Sequence, residues 1–251
     1  KLEKAKPRER LKLSWELADQ MAEKDIETNQ NIGKHGYKVL KKLRKNRQQC
    51  INVLTHCNAG WLATVDHGTA LSPIFLAHKN KMSIHVWVDE TRPRNQGLLT
   101  SWELNNQGIK NTLITDNAGG YFMQNKKVDL VIVGADRISS NGDVCNKIGT
   151  YLKALCAKHN KIPFYVAAPT STIDFKIKNA NKEIIIEERS KKEIQFSKGL
   201  NENGQLLTIL SGIKNAKISN PGFDITPSNL ITGIITEKGI LKTSEIKKLN
   251  K

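Results

Sequence analysis

Cys57 sits in Thr55-His56-Cys57-Asn58-Ala59-Gly60, a polar, tight stretch that follows the apolar run Ile51–Leu54. Asp136 sits in Gly134-Ala135-Asp136-Arg137-Ile138, after the apolar run Val128–Val133. A third stretch, Asp89-Glu90-Thr91-Arg92-Pro93-Arg94-Asn95-Gln96-Gly97, follows Ser83–Val88. One thiol and one carboxylate suit proton transfer at carbons beside a carbonyl or hydroxyl, without a metal. Asn146-Lys147, further along Asn141–Gly149, is expected to open a helix. Free backbone N–H groups and the dipole favour an anion there, and a bound phosphate would account for a Lys in that place. Each residue also has an ordinary structural reading. Cys57 alone fits a small core side chain. Asp136 fits a helix N-cap or a partner for Arg137. Arg92-Pro93-Arg94 fits a solvated turn, and Lys147 an exposed cation.

Placing these groups together is a matter of the elements between them. Residues 8–46 read as helix, with Gly33 and Gly36 interrupting the run. From Cys50 onward short apolar runs alternate with helical ones. The runs are Ile51–Leu54, Ser83–Val88, Thr112–Ile114, Val128–Val133 and Phe164–Ala167. The helices between them are Gly68–Leu76, Leu98–Asn105, Tyr121–Gln124 and Lys147–Lys158, and Thr226-Pro227 is expected to open another over Ser228–Ile235. Runs that are apolar throughout mark buried parallel strands. The alternation predicts an α/β fold: an open, mostly parallel, Rossmann-like sheet flanked by helices, with a helical N-terminal arm. The expected division is an arm over residues 1–48 and a catalytic domain over 49–251. In such sheets ligands bind at the carboxyl ends of the strands, where the three polar stretches lie.

Composition narrows the classes. The 251 residues carry 40 Lys and Arg against 24 Asp and Glu, a net charge of +16. Lys supplies most of the excess and is scattered, whereas base readout and bidentate phosphate contacts favour Arg. A solvated Lys-rich surface is therefore expected, with no nucleic-acid partner, and its field helps attract an anionic substrate. No stretch approaches the ~20 apolar residues needed to span a bilayer, so no membrane partner is expected. Cys50, Cys57, Cys145 and Cys156 form no CxxC pair. Reduced thiols and a cytoplasmic setting follow as expectations. GxGxxG, P-loop and GxSxG motifs are lacking, so neither a cofactor nor a metal is expected.

The segments THCNAG (55–60), ETRPRNQG (90–97), TDNAG (115–119), GADRI (134–138), NGDVCNKIGTY (141–151) and NPGFDITPSNLIT (220–232) occur in this order. They resemble the methylthioribose-1-phosphate isomerase family, which is related to regulatory subunits of the guanine-exchange factor of translation initiation. The resemblance implies a cofactor-free aldose–ketose isomerase of methionine salvage, acting on a sugar phosphate as a homodimer. It implies that Cys57 and Asp136 are catalytic and that Gln96, Asn146 and Lys147 bind substrate. A buried Asp136 of raised pKa is the expected acid. Alternatives within the superfamily are a ribose-1,5-bisphosphate or 5-deoxyribose-1-phosphate isomerase, or a non-catalytic regulatory subunit. The chain departs from the family in two ways. Nothing matches most of the family's N-terminal domain, and the stretch after Gln96 is one residue short. An open cleft above Asp136 and incomplete catalysis by this chain alone are the expected consequences.

Overall fold

The computed structural model describes residues 2–45 and 50–250. Helix α1 (Pro7–Lys45) matches the expected helical arm; position 46 and the 48/49 division lie outside the described residues. In chain order the strands are β1 (Ile51–Thr55), β2 (Ile84–Asp89), β3 (Asn111–Ile114), β4 (Leu130–Val133), β5 (Arg137–Ser139), β6 (Val144–Lys147) and β7 (Phe164–Ala167). They continue as β8 (Ile173–Asp174), β9 (Phe196–Leu200), β10 (Leu206–Leu210), β11 (Phe223–Thr226), β12 (Gly233–Thr236) and β13 (Gly239–Leu241). Four further helices are α2 (Ser72–Lys79), α3 (Gln96–Asn106), α4 (Ala118–Gln124) and α5 (Thr150–His159).

Among the described residues the main sheet has seven strands in the order β13-β12-β7-β4-β1-β2-β3. Its pairs are parallel except β12–β13, which is an antiparallel hairpin. Successive side chains of a strand point to opposite faces. Val53 of β1 therefore joins a core layer with Ile32 and Leu40 of α1, Leu71 and Ile74 of α2, and Leu104 of α3. Leu54, its neighbour, joins the opposite layer with Met123 of α4 and Ala154 and Ala157 of α5. Both faces of the central strands are covered, which is why those strands are apolar throughout. Gly33 and Gly36, rather than breaking α1, let it approach α2. A Cβ on Gly36 would lie 2.3 Å from Cγ of Pro73.

The strands and helices predicted before residue 140 are present, with shifted ends. The expected helix from Gly68 begins instead at Ser72, where Pro73 occupies the first turn. Two readings are corrected. Ser228–Ile235 holds a short 3-10 turn, Ser228–Leu230, and then enters β12. Ile234 and Ile235 are fully buried on the two faces of the sheet. A short apolar run of this kind has no period that separates strand from helix. Nor do Asn146 and Lys147 open a helix: they end β6, which pairs with β11 in a second, smaller sheet of order β11-β6-β5-β8. Helix α5 starts three residues later, after Gly149 at φ 101°.

The loop after β2 turns into α3 so tightly that a Cβ on Gly97 would lie 1.8 Å from the carbonyl oxygen of Asp89. Gly97→Ala is expected to cost at least about 2 kcal/mol of unfolding free energy in urea, because backbone must move to admit the methyl. Gly199→Ala, where nothing lies within 4 Å, should stay within about 0.5 kcal/mol of the unaltered chain.

Candidate active site

β1, β2 and β4 are neighbours or next neighbours in the sheet, and all run the same way. Their carboxyl ends therefore deliver Cys57, Arg94 with Gln96, and Asp136 to one edge. Cys57 sits at φ 67°, in the left-handed region. Its turn is pinned from the β2 loop and from α3. The Cys57 N–H donates to Oγ1 of Thr91 at 2.8 Å, and the Thr100 hydroxyl donates to the Cys57 carbonyl at 2.7 Å. Behind it lies the buried carboxylate of Glu103, which accepts from the Asn58 side chain at 2.9 Å and from the Trp61 and Leu62 N–H groups at 2.9 and 3.2 Å. Burial pushes the Glu103 carboxyl up, and these donors pull against that rise.

Gln96 is the first residue of α3, and its Oε1 is buried with no hydrogen-bond partner among the described residues. A buried acceptor without a donor is costly in the free protein and ready for a ligand hydroxyl. Asn146 is buried and donates to Oγ1 of Thr150 at 2.9 Å. Lys147 is only 8% exposed. Its Nζ donates to the Gly222 carbonyl at 3.2 Å and lies 4.2 Å from the centre of the Phe223 ring. A carbonyl and a π face hold the ammonium in place without neutralising it. The N–H groups that open α5 are engaged by Asp224, whose carboxylate accepts from Gly149 at 2.7 Å and Tyr151 at 3.1 Å. Anion attraction at this edge thus comes from Lys147 itself and not, as the sequence reading had it, from a helix end.

Asp136 is not buried as expected. It stands exposed between two open grooves. One, of about 660 Å³, is walled by Arg137 and residues 171–176. The other, of about 340 Å³, is walled by Cys145, Ile184, Glu187 and Phe223 among others. The walls still strip enough water to raise the Asp136 carboxyl, against the pull of Lys147. Burial likewise raises the Cys57 thiol. The Asn58 N–H and Lys147 lower it, Asp136 raises it and Arg94 lowers it. Lys147 therefore bears on both the thiol and the carboxyl, and Asp136 bears on the thiol, at a single edge. Cys145, beside Asp136, is pushed up to about 11, first by burial and then by Asp136 and Asp224. All four cysteines are free thiols.

Beneath the tips lies a group that sequence reasoning missed. Asp89 is fully buried and takes Nδ1 of His56 at 3.0 Å and Nζ of Lys153 at 3.1 Å on the same oxygen. Lys153 also donates to the Asp116 carbonyl at 2.7 Å. The Asp116 carboxylate accepts from the Thr91 and Arg92 N–H groups, both at 2.8 Å. His56, Asp89 and Asp116 are close enough together to hold a metal ion. Here the ammonium of Lys153 already sits against Asp89 as the cation, so the geometry is that of an ion cluster. One signal was available: Thr150, Lys153, Ala154 and Ala157 form the buried face of α5, and a Lys on such a stripe calls for a buried partner.

Fold and site together define a doubly wound α/β protein with a thiol, a carboxyl and an ammonium grouped at the carboxyl edge of its sheet. The chain belongs to the Initiation factor 2 subunit family, whose profile matches residues 2–243. It is 51% identical over 248 residues to the methylthioribose-1-phosphate isomerase of Gluconobacter oxydans, covering 98% of this chain and 67% of that protein. The crystal structure of 5-methylthioribose 1-phosphate isomerase from Pyrococcus horikoshii is 40% identical with a TM-score of 0.84, covering 98% of this chain and 64% of that one. The structure described as translation initiation factor eIF-2B, subunit delta, from A. fulgidus is 41% identical with a TM-score of 0.81, covering 96% of this chain and 67% of that one. The chain spans about two thirds of the length of the curated relatives it matches.

The opposed charges around Cys57 fix the sign of two substitutions. Lys147→Met should move the Cys57 titration upward, and Asp136→Asn should move it downward. The pH dependence of iodoacetamide modification, read at Cys57 by peptide mass spectrometry, checks both.

Proposed function

We propose that this chain carries the catalytic domain of an isomerase that converts S-methyl-5-thioribose 1-phosphate to S-methyl-5-thioribulose 1-phosphate. The observation that carries the reading is the placement of Cys57, Asp136 and Lys147, at the ends of β1, β4 and β6, at one edge of the sheet. It occurs in a chain about half identical to proteins named for that reaction.

The substrate's anomeric carbon bears phosphate, so its ring does not open by simple loss of a hydroxyl proton. Opening needs an acid at the ring oxygen. Asp136 suits that role, because its raised carboxyl keeps a proton to higher pH than an ordinary carboxylate. Lys147 attracts the phosphate. Gln96 Oε1 and the Asn146 side chain accept and donate to sugar hydroxyls. With the ring open, the hydrogen on C2 moves to C1 and the C2 hydroxyl returns its proton to the Asp136 carboxylate, so the aldose becomes the ketose with no atoms gained or lost. The Cys57 thiol, kept protonated by burial, faces that movement as proton shuttle or transition-state stabiliser. Residues 1–48 serve as a helical arm to the catalytic domain, 49–251.

A homodimer accords with Tyr121, Leu152 and Leu155, which stand exposed on α4 and α5. The free thiols accord with a cytoplasmic setting. No described helix is long and apolar enough to cross a membrane. A second reading, a non-catalytic subunit of an initiation-factor complex, is favoured by the comparable likeness to the A. fulgidus structure.

Turnover separates the two. The purified chain should convert methylthioribose 1-phosphate measurably but well below the rate of a full-length relative, followed by NMR of the ketose product. Asp136→Asn should lower kcat roughly 100-fold or more with little change in KM, since a transition-state proton transfer is lost. Cys57→Ser should also lower kcat heavily. The unaltered chain's kcat should fall as pH rises through the raised Asp136 pKa. Full rates in both variants would end the assignment, and no turnover by the chain or by a full-length relative's equivalent would favour the subunit reading.

A further inference from the structure

We propose that His56 is a positioning residue whose imidazole holds the Cys57 turn and the Lys147 turn in fixed relation. The inference rests on reading Cys57 and Lys147 as one site, and goes beyond that reading to what keeps them one.

His56 immediately precedes Cys57, and its ring is buried with both nitrogens engaged. Nδ1 meets Asp89 at 3.0 Å, and Nε2 meets the Ile148 carbonyl at 2.8 Å. Both partners, a carboxylate and a backbone carbonyl, are acceptors. Ile148 is the residue after Lys147. One ring thus spans from the end of β1 to the end of β6, elements that belong to different sheets and do not pair. Without it, Cys57 answers to Thr91 and Thr100, and Lys147 answers to Gly222 and Phe223. No residue is common to those two sets.

The backbone around the link is built to admit the ring. Gly149 adopts φ 101°, and a Cβ there would lie 3.1 Å from Cε1 and 3.2 Å from Nε2 of His56. The far end of the link is anchored as well, since the Gly149 N–H donates to Asp224. At the near end, Asp89 holds the ring from below, and its own carbonyl accepts from the Thr91 hydroxyl that receives the Cys57 N–H. His56 does not face the cleft with its ring, so its role is to place the groups that do.

The coupling predicts a reporter that needs no turnover. An anion bound at Lys147 opposes ionisation of Cys57. Saturating inorganic phosphate should therefore slow iodoacetamide modification of Cys57 at constant ionic strength by about fivefold, the effect of one unit charge facing another across a partly solvated gap. The experiment compares that ratio in the unaltered chain, His56→Gln and Gly149→Ala, each checked for folding by circular dichroism and thermal melting. Gly149→Ala leaves every charged group in place and disturbs the Ile148 link, so it decides alone if His56→Gln does not fold. Loss of phosphate protection in the folded variants, with Cys57 still reactive, is the expected result. Wild-type protection in a folded variant, whatever the melting temperature, overturns the coupling. No protection in the unaltered chain overturns the shared site itself, and the coupling with it.

Discussion

A carboxylate with no exposed surface, Asp89, organises the carboxyl edge of this sheet. Taking one charge out of water costs several kcal/mol even after relaxation. That cost is offset here because His56 and Lys153 meet the same oxygen. The partners come from the end of β1 and from the first turns of α5, and Lys153 ties in the end of β3 through the Asp116 carbonyl. Neutralising Asp89 therefore requires those elements to arrive together. A fold held this way at one end tolerates little sliding of its strands, since a shift in register would part an ion from its partner.

That anchoring supports conformations that short segments would not adopt alone. Cys57, Thr91 and Asn95 all lie near φ 60°. For a β-branched residue such as Thr91 this region is a genuine outlier, costing of order 1–3 kcal/mol. The strain is spread along the loops that carry the thiol and Gln96, and is opposed by bonds made just below. Asp116 takes the Thr91 and Arg92 N–H groups, and Thr91 takes the Cys57 N–H. Elements bound by many apolar contacts sit under loops bound by a few directed ones, which is the arrangement expected where geometry matters more than bulk stability.

The gain from sequence reading was uneven for physical reasons. Five strands of the main sheet, β1 to β4 and β7, were legible as short apolar runs bounded by turn signals, whereas β12 was read as helix and β13 was not anticipated. That the loops carrying Cys57, Gln96 and Asp136 reach one edge was legible because each follows one of those five strands. The surroundings of Lys147 were misread. Its segment, Val144–Lys147, mixes apolar and polar residues, pairs only in the small sheet, and runs straight into a helix. No local period marks where the strand stops. The cluster around Asp89 was illegible because its members are spread from position 56 to position 153 and meet only through sheet topology. Of all of them, Lys153 alone carried a local sign, a charge on an apolar helical stripe. The exposure of Asp136 was misjudged because position after a strand tells which edge a residue reaches and not how deep it lies there.

That exposure bears on the acid role proposed for Asp136. Asp136 is raised by partial loss of water and restrained by Lys147, two opposed influences of different range. Desolvation depends on what covers the carboxyl, whereas the ammonium is fixed by Gly222 and Phe223. A sugar phosphate seated over the grooves would remove water from Asp136. Its phosphate would at the same time offset the Lys147 charge that favours ionisation. Both changes push the carboxyl in the same direction, toward holding its proton. On the proposed reading, binding would thus ready Asp136 to give up the proton that ring opening requires, and an exposed Asp136 in the free protein leaves room for that change.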